Sequence, residues 1–146
     1  MDGKGDPEAS NPIDRLSSKV QCVVVRAVPS DMSVLESRVS SVLLGFRVDP
    51  RLGKDSEEYR TAVEASPVSH VPADDPPMLL LHGDADKLVP LARSQALHDK
   101  LSAVGVPAKL ITIKGGGHRP DFPGAEQKPA EIYANAVRWM DTYLKK

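Results

Sequence analysis

At 146 residues, 40% hydrophobic and 27% charged, the chain is long enough for one domain with its own core and too apolar for a disordered polyelectrolyte. Its formal net charge of -1 excludes a strongly electropositive nucleic-acid surface, and its one cysteine, Cys22, excludes an internal disulfide framework and a clustered-thiolate zinc site. No apolar run reaches transmembrane length and the N-terminal residues are polar and acidic, so the expectation is a protein with no membrane or nucleic-acid partner in a reducing, cytoplasmic compartment.

Residues 1–18 are polar and rich in helix breakers and read as an N-terminal arm. Val20–Val25 is a β-branched run closed by Pro29, and its nearly continuous apolar character predicts a strand buried on both faces. Cys22, inside that run, reads as a small buried hydrophobe rather than a nucleophile. Ser30, Asp31 and Ser33 offer caps for a helical pattern over Val34–Leu43 that Gly45 ends. Asp49–Asp55 is loop, and Ser56 before Glu57–Glu58 starts a short helix carrying Tyr59, Ala62 and Val63.

The Pro76-Pro77 stop introduces a second strand, Pro77–His82. A helix over Leu91–Val104 presents Leu97, Leu101 and Val104 on one face and ends at Gly105. Ala108–Ile113 reads as a third strand. Pro129, acceptable in a first helical turn, opens a last helix to Leu144 with Ile132, Ala136, Trp139, Met140 and Tyr143 on one broad stripe, so Trp139 belongs to the core. Helical crossovers between strands imply parallel neighbours: an α/β fold with about three parallel strands and flanking helices. Three strands leave an unpaired edge, and a homo-oligomer, as a symmetric dimer, is expected to cover it.

Chemistry concentrates after the second and third strands, in His82-Gly-Asp-Ala-Asp-Lys-Leu-Val-Pro90 and Gly115-Gly-Gly-His118. Parallel strands bring such loops to one sheet edge. There Asp86 can hold the imidazole of His118 in one tautomer while the other ring nitrogen takes a proton from a nucleophile. Plainer roles compete: Asp86 as a helix cap, His118 as a hydrogen-bonding group of a Gly-rich turn. Asp84 reads as a turn residue, with the alternative of being the acid in place of Asp86. His82 reads as a loop-ordering histidine. Asp31 reads as a turn or cap residue, His70 as a loop histidine and His98 as a helix-surface one. Asp74-Asp75 reads as polar loop. The four histidines show no compact metal-ligand spacing.

On these motifs, with Ser17-Ser-Lys-Val-Gln21, Ala65-Ser-Pro-Val-Ser69 and Asp75-Pro-Pro77, the chain resembles the C-terminal portion of an α/β-hydrolase over residues 14–145. The resemblance is to the esterase/lipase and prolyl-oligopeptidase-like serine hydrolases, including acylaminoacyl and dipeptidyl peptidases. It implies a partial α/β-hydrolase fold in which residues 19–146 form a C-terminal α/β-hydrolase-like domain. Asp86 and His118 are then the inherited acid and base, and a carboxylic ester or a peptide is the substrate class. No cofactor and no metal are implied. The family's nucleophile stands on a Gly-x-Ser-x-Gly turn, and the sequence contains no such motif; no serine lies two residues after a glycine. Ser17 and Ser18 match a segment leading into a later strand, and Ser10 lies in the arm. The expectation is a truncated, serine-hydrolase-like chain that is inactive in isolation. A small ester or peptide would be its substrate only if a partner supplied the nucleophile. The other reading is a non-catalytic module that self-associates or binds a protein.

Overall fold

The computed structural model describes residues 5–34, 37–49, 51 and 53–145. Three parallel strands, β1 (Val23–Arg26), β2 (Met78–Gly83) and β3 (Ala108–Ile113), lie in the order β1-β2-β3. Among the described residues four helices accompany them: α1 (Ser37–Leu44) and α2 (Glu57–Glu64) between β1 and β2, α3 (Ala92–Ala103) between β2 and β3, and α4 (Pro129–Leu144) after β3. Short 3₁₀ turns at Pro12–Arg15, Met32–Val34 and Pro67–Ser69 punctuate the loops.

The period-2 alternation of strand side chains divides the core. Leu79, Leu81 and Ile113 point to one face, where Phe122 and the α4 residues Ile132 and Ala136 cover them, with Trp139 packed alongside. Leu80 points to the other face, against Leu97, Leu101 and Val106. Each of these buried Leu, Ile and Val side chains contributes roughly 1.5–3 kcal/mol of transfer free energy. The sheet is therefore covered on both sides, as a parallel sheet requires.

β1 begins three residues later than the apolar run suggests, and its residues are half-buried rather than buried. The neighbouring strand explains the shift. Val23 pairs with Met78, so extending the register would set Cys22 against Pro77 and Gln21 against Pro76, residues with no N–H to give. The ladder starts where Val23 N donates to Pro77 O at 2.8 Å. Val20 is consequently exposed, and Cys22 is half-buried just outside the strand, which corrects its reading as a buried core residue. At the other end Ala27 takes a left-handed φ of 49° and turns the chain out of the sheet.

The helices obey local rules. Ser56 Oγ accepts from Tyr59 N at 3.2 Å and caps α2, whose first turn carries Glu57 and Glu58. Residues 5–16 bond among themselves, with Asp6 N donating to Asp14 O and Arg15 Nε to Ala9 O, both at 2.8 Å. Among the described residues no helix is long and apolar enough to cross a membrane.

Candidate active site

The loops that follow β2 and β3 are stitched together at the C-terminal edge of the sheet. Asp84 N donates to Ile113 O and Ala85 N to Gly116 O, each at 3.1 Å. The exposed carboxylate of Asp84 accepts from Gly115 N at 2.7 Å, so Asp84 acts as a strap between the loops. The backbones approach so closely that a Cβ on Gly83 would lie 1.9 Å from Gly116 O. Only glycine fits there.

This stitching brings Asp86 and His118 together. His118 Nδ1 lies 2.8 Å from Asp86 Oδ2. The Asp86 side chain is fully buried, while that of His118 is 36% exposed. The two oxygens of Asp86 do different work. Oδ1 accepts from Leu88 N and Val89 N, both at 2.9 Å, and orders its own loop rather than capping α3; Oδ2 faces the imidazole. Burial alone would raise the carboxyl pKa. The Val89 amide, His118 and the Leu88 amide outweigh it and hold the group below the usual carboxylate value. An ionised Asp86 only accepts hydrogen bonds, so the neutral imidazole carries its proton on Nδ1 and presents Nε2 as a base.

The depressed carboxyl makes stability depend on acid. Its contribution is complete above the unfolded-state value near 3.9 and is lost as pH falls through the lower folded-state value. The stability gap between wild type and Asp86→Asn, measured by denaturant unfolding, is therefore expected to be widest near neutrality. It should close as pH drops below about 4.

His82 stands behind this pair and is wholly buried. Its Nε2 is 2.8 Å from Val89 O, an acceptor only, so that nitrogen holds the proton; Nδ1 accepts from Ser94 Oγ at 2.6 Å. His82 Nε2 also lies 3.4 Å from Asp86 Oδ2. Ser94, His82 and Asp86 thus form a serine–histidine–carboxylate chain with the outline of a triad. Ser94 and His82 have no exposed surface, so no substrate reaches them and the chain serves to order the acid loop. Ser94→Ala is expected to leave the buried Nδ1 unsatisfied and to lower unfolding free energy by about 1–3 kcal/mol, measured by urea titration.

Residues that the sequence does not single out complete the setting. Arg26, last in β1, donates from a guanidinium nitrogen to the His118 carbonyl and lies 5.7 Å above the centroid of the Phe122 ring. Ala27 and Phe122 are the only described non-glycine residues with positive φ, 49° and 48°; Ala27 follows Arg26 in the chain, and the Phe122 ring lies under its guanidinium. Such backbone gathers at functional sites. Arg26, Val39, Val42, Leu43, Leu88 and His118 line a cavity of about 630 Å³.

The remaining candidates lie apart from this pair. Asp31 accepts from Ser33 N and Oγ at 3.0 and 2.6 Å and faces Arg93 at 3.7 Å. His70 contacts Glu64 O at 2.5 Å, and His98, on α3, lies 3.1 Å from Asp99. Lys19 N donates to Ser17 Oγ at 3.2 Å within the exposed segment before β1. Among the described residues no three His, Cys, Asp or Glu side chains converge as a metal site.

Comparison with known proteins gives the family. The profile of the family BD-FAE matches residues 5–101. The chain is 35% identical over 142 residues to the "Probable carboxylic ester hydrolase LipM" of Mycobacterium tuberculosis, covering 88% of this chain and 33% of that protein. It is 28% identical over 100 residues to the acylamino-acid-releasing enzyme of Rattus norvegicus, covering 68% of this chain and 13% of the relative. Among solved structures, a truncated form of a carbohydrate esterase from gut microbiota superposes with a TM-score of 0.72 at 28% identity, over 91% of this chain and 46% of that one. The chain thus spans a third or less of these two curated relatives.

Proposed function

The chain belongs to the BD-FAE family of α/β-hydrolase-like proteins, and we propose that its Asp86 and His118 are the acid and base of an acyl-transfer hydrolase. The substrate class is a carboxylic ester, with the acyl bond of a blocked peptide as the alternative suggested by the acylamino-acid-releasing relative. The observation that carries the reading is the 2.8 Å contact between His118 Nδ1 and a buried carboxylate whose other oxygen is tied to two backbone amides. A histidine needed only to order a Gly-rich turn has no use for an anchored anion.

In this scheme a serine hydroxyl attacks the ester carbonyl as its proton passes to His118 Nε2. Asp86 stabilises the imidazolium that forms. His118 then protonates the departing alcohol, and the acyl-serine remains. In the second half His118 takes a proton from water, the resulting hydroxide attacks the acyl carbon, and the carboxylic acid leaves as the serine regains its proton. The serine and the oxyanion donors come from another polypeptide segment, because these 146 residues hold no Gly-x-Ser-x-Gly turn. The chain by itself is a half-site and does not turn over.

The test is complementation. The chain is mixed with, or fused behind, a serine-bearing α/β-hydrolase segment that lacks its own acid and base. Ester hydrolysis should appear and should vanish with His118→Ala; equal turnover with and without that substitution would refute the assignment.

One observation favours a second, compatible reading. Among the described residues β1 bonds to β2 along one side only, and the sheet ends there. An unpaired parallel edge invites another strand, from a second copy or from the segment that supplies the serine. Light scattering across micromolar concentrations should show a dimer when no such segment is present.

A further inference from the structure

We infer that the cavity beside His118 binds an amphipathic carboxylate, with Arg26 meeting the anion and the apolar residues of α1 and Leu88 meeting its hydrocarbon body. The inference deepens the hydrolytic reading and rests on it, because hydrolysis of an ester beside His118 releases a carboxylic acid that is ionised at neutral pH.

The cavity's volume of about 630 Å³ falls within the range of small-molecule sites. Its apolar wall is formed by Val39, Val42 and Leu43 of α1 together with Leu88. Folding leaves much of this wall in water: Val42 is 79%, Leu43 51% and Leu88 44% exposed. Removing such surface from water is the driving force a hydrocarbon chain would exploit.

Charge fixes which end of the ligand goes where. Among the described lining residues Arg26 is the one permanently charged group, and none is acidic. The nearby acid, Asp86, has a fully buried side chain and both oxygens engaged. Arg26 forms no ion pair among the described residues. A guanidinium has five N–H donors, and the His118 carbonyl takes a single hydrogen bond from one terminal nitrogen. Contact with Phe122 holds the plane in place. A half-buried, pre-oriented guanidinium without a carboxylate, at one end of an apolar cavity, is the complement of a carboxylate on an apolar chain.

The experiment titrates the isotope-labelled 146-residue chain with butanoate, octanoate, N-acetylleucine and octan-1-ol, following the amide resonances of Arg26, Val42 and His118. Octanoate should give saturable shifts, with affinity rising about fourfold for each added methylene from butanoate upward. Octan-1-ol should bind at least about tenfold more weakly, since it cannot pair with the guanidinium. Arg26→Gln should weaken octanoate by about tenfold or more and leave octan-1-ol unchanged. Val42→Asp, at a position exposed enough to spare the fold, should weaken octanoate more than octan-1-ol. Tighter octanoate than N-acetylleucine assigns the site to fatty-acyl groups, and the reverse order to acylated amino acids. Equal affinity for octanoate and octan-1-ol, an unchanged octanoate affinity in Arg26→Gln, or no saturable shift at millimolar ligand would overturn the proposal. In the same samples the His118 Nδ1–H resonance reports on the acid–base pair. If it persists while octanoate fails to bind, only the carboxylate site falls; if it is absent while octanoate binds, the pairing with Asp86 falls instead.

Discussion

Asp86→Asn is expected to reduce ester hydrolysis by the complemented protein about 10⁴-fold, the scale seen when the acid of a serine-hydrolase triad becomes an amide. The geometry says why. The Asn oxygen can keep the Leu88 and Val89 amides that Oδ1 now holds, so the loop stays in place. What then faces His118 is an NH₂ group, a donor opposed to the Nδ1–H. The imidazole responds by moving its proton to Nε2, where it can no longer accept one from serine. Initial-rate kinetics should show the loss in kcat, with KM little changed. A variant that unfolds would lose both, and far-ultraviolet circular dichroism separates the cases.

Gly83→Ala is expected to be the most damaging single-methyl substitution in the chain, costing about 3 kcal/mol or more. The added Cβ would sit 1.9 Å from Gly116 O and 2.4 Å from its carbonyl carbon. Both are backbone atoms, so no side chain can swing aside. Relief requires the β2 and β3 loops to part, which breaks the Ala85 N to Gly116 O bond and draws His118 away from Asp86. Urea denaturation should show the stability loss. The His118 Nδ1–H resonance should disappear even where the variant remains folded. Gly105→Ala is the natural control: its φ of 82° strains any side chain, a strain Gly83 does not carry, but nothing lies within 4 Å of its Cβ and it is remote from the paired loops.

The sequence displayed the parts of this molecule that depend on neighbours in the chain. Pro76-Pro77 and Gly105-Val-Pro107 bracket β2 and β3, and the stripe through Ile132 and Ala136 announces α4. These signals survive folding because tertiary packing reinforces them. The Asp86 and His118 loops were legible for the same reason: topology alone brings the C-terminal ends of parallel strands together. What was hidden depends on pairing. The onset of β1 is decided by the absence of N–H groups on Pro76 and Pro77, residues far along the chain from Val20. Once the run is displaced, Arg26 stands at the sheet edge beside His118, yet nothing in Val25-Arg26-Ala27 marks it. Ser94 looks like an ordinary polar residue of a helix until the fold sets it against His82. The 3₁₀ turns at Pro12–Arg15 and Pro67–Ser69 are too short to leave a periodic trace.

On the proposed function these 146 residues hold an acid and a base but no activated nucleophile, and a fluorophosphonate probe distinguishes that half-site from a complete one. Such probes are attacked by an activated serine oxygen, which forms a bond to phosphorus as fluoride departs. No stoichiometric labelling of the purified chain is expected, with p-nitrophenyl acetate hydrolysed no faster by wild type than by His118→Ala. Stoichiometric labelling of a single serine, with turnover lost both in His118→Ala and on replacement of that serine, would contradict it. That result would place a complete catalytic site within the chain.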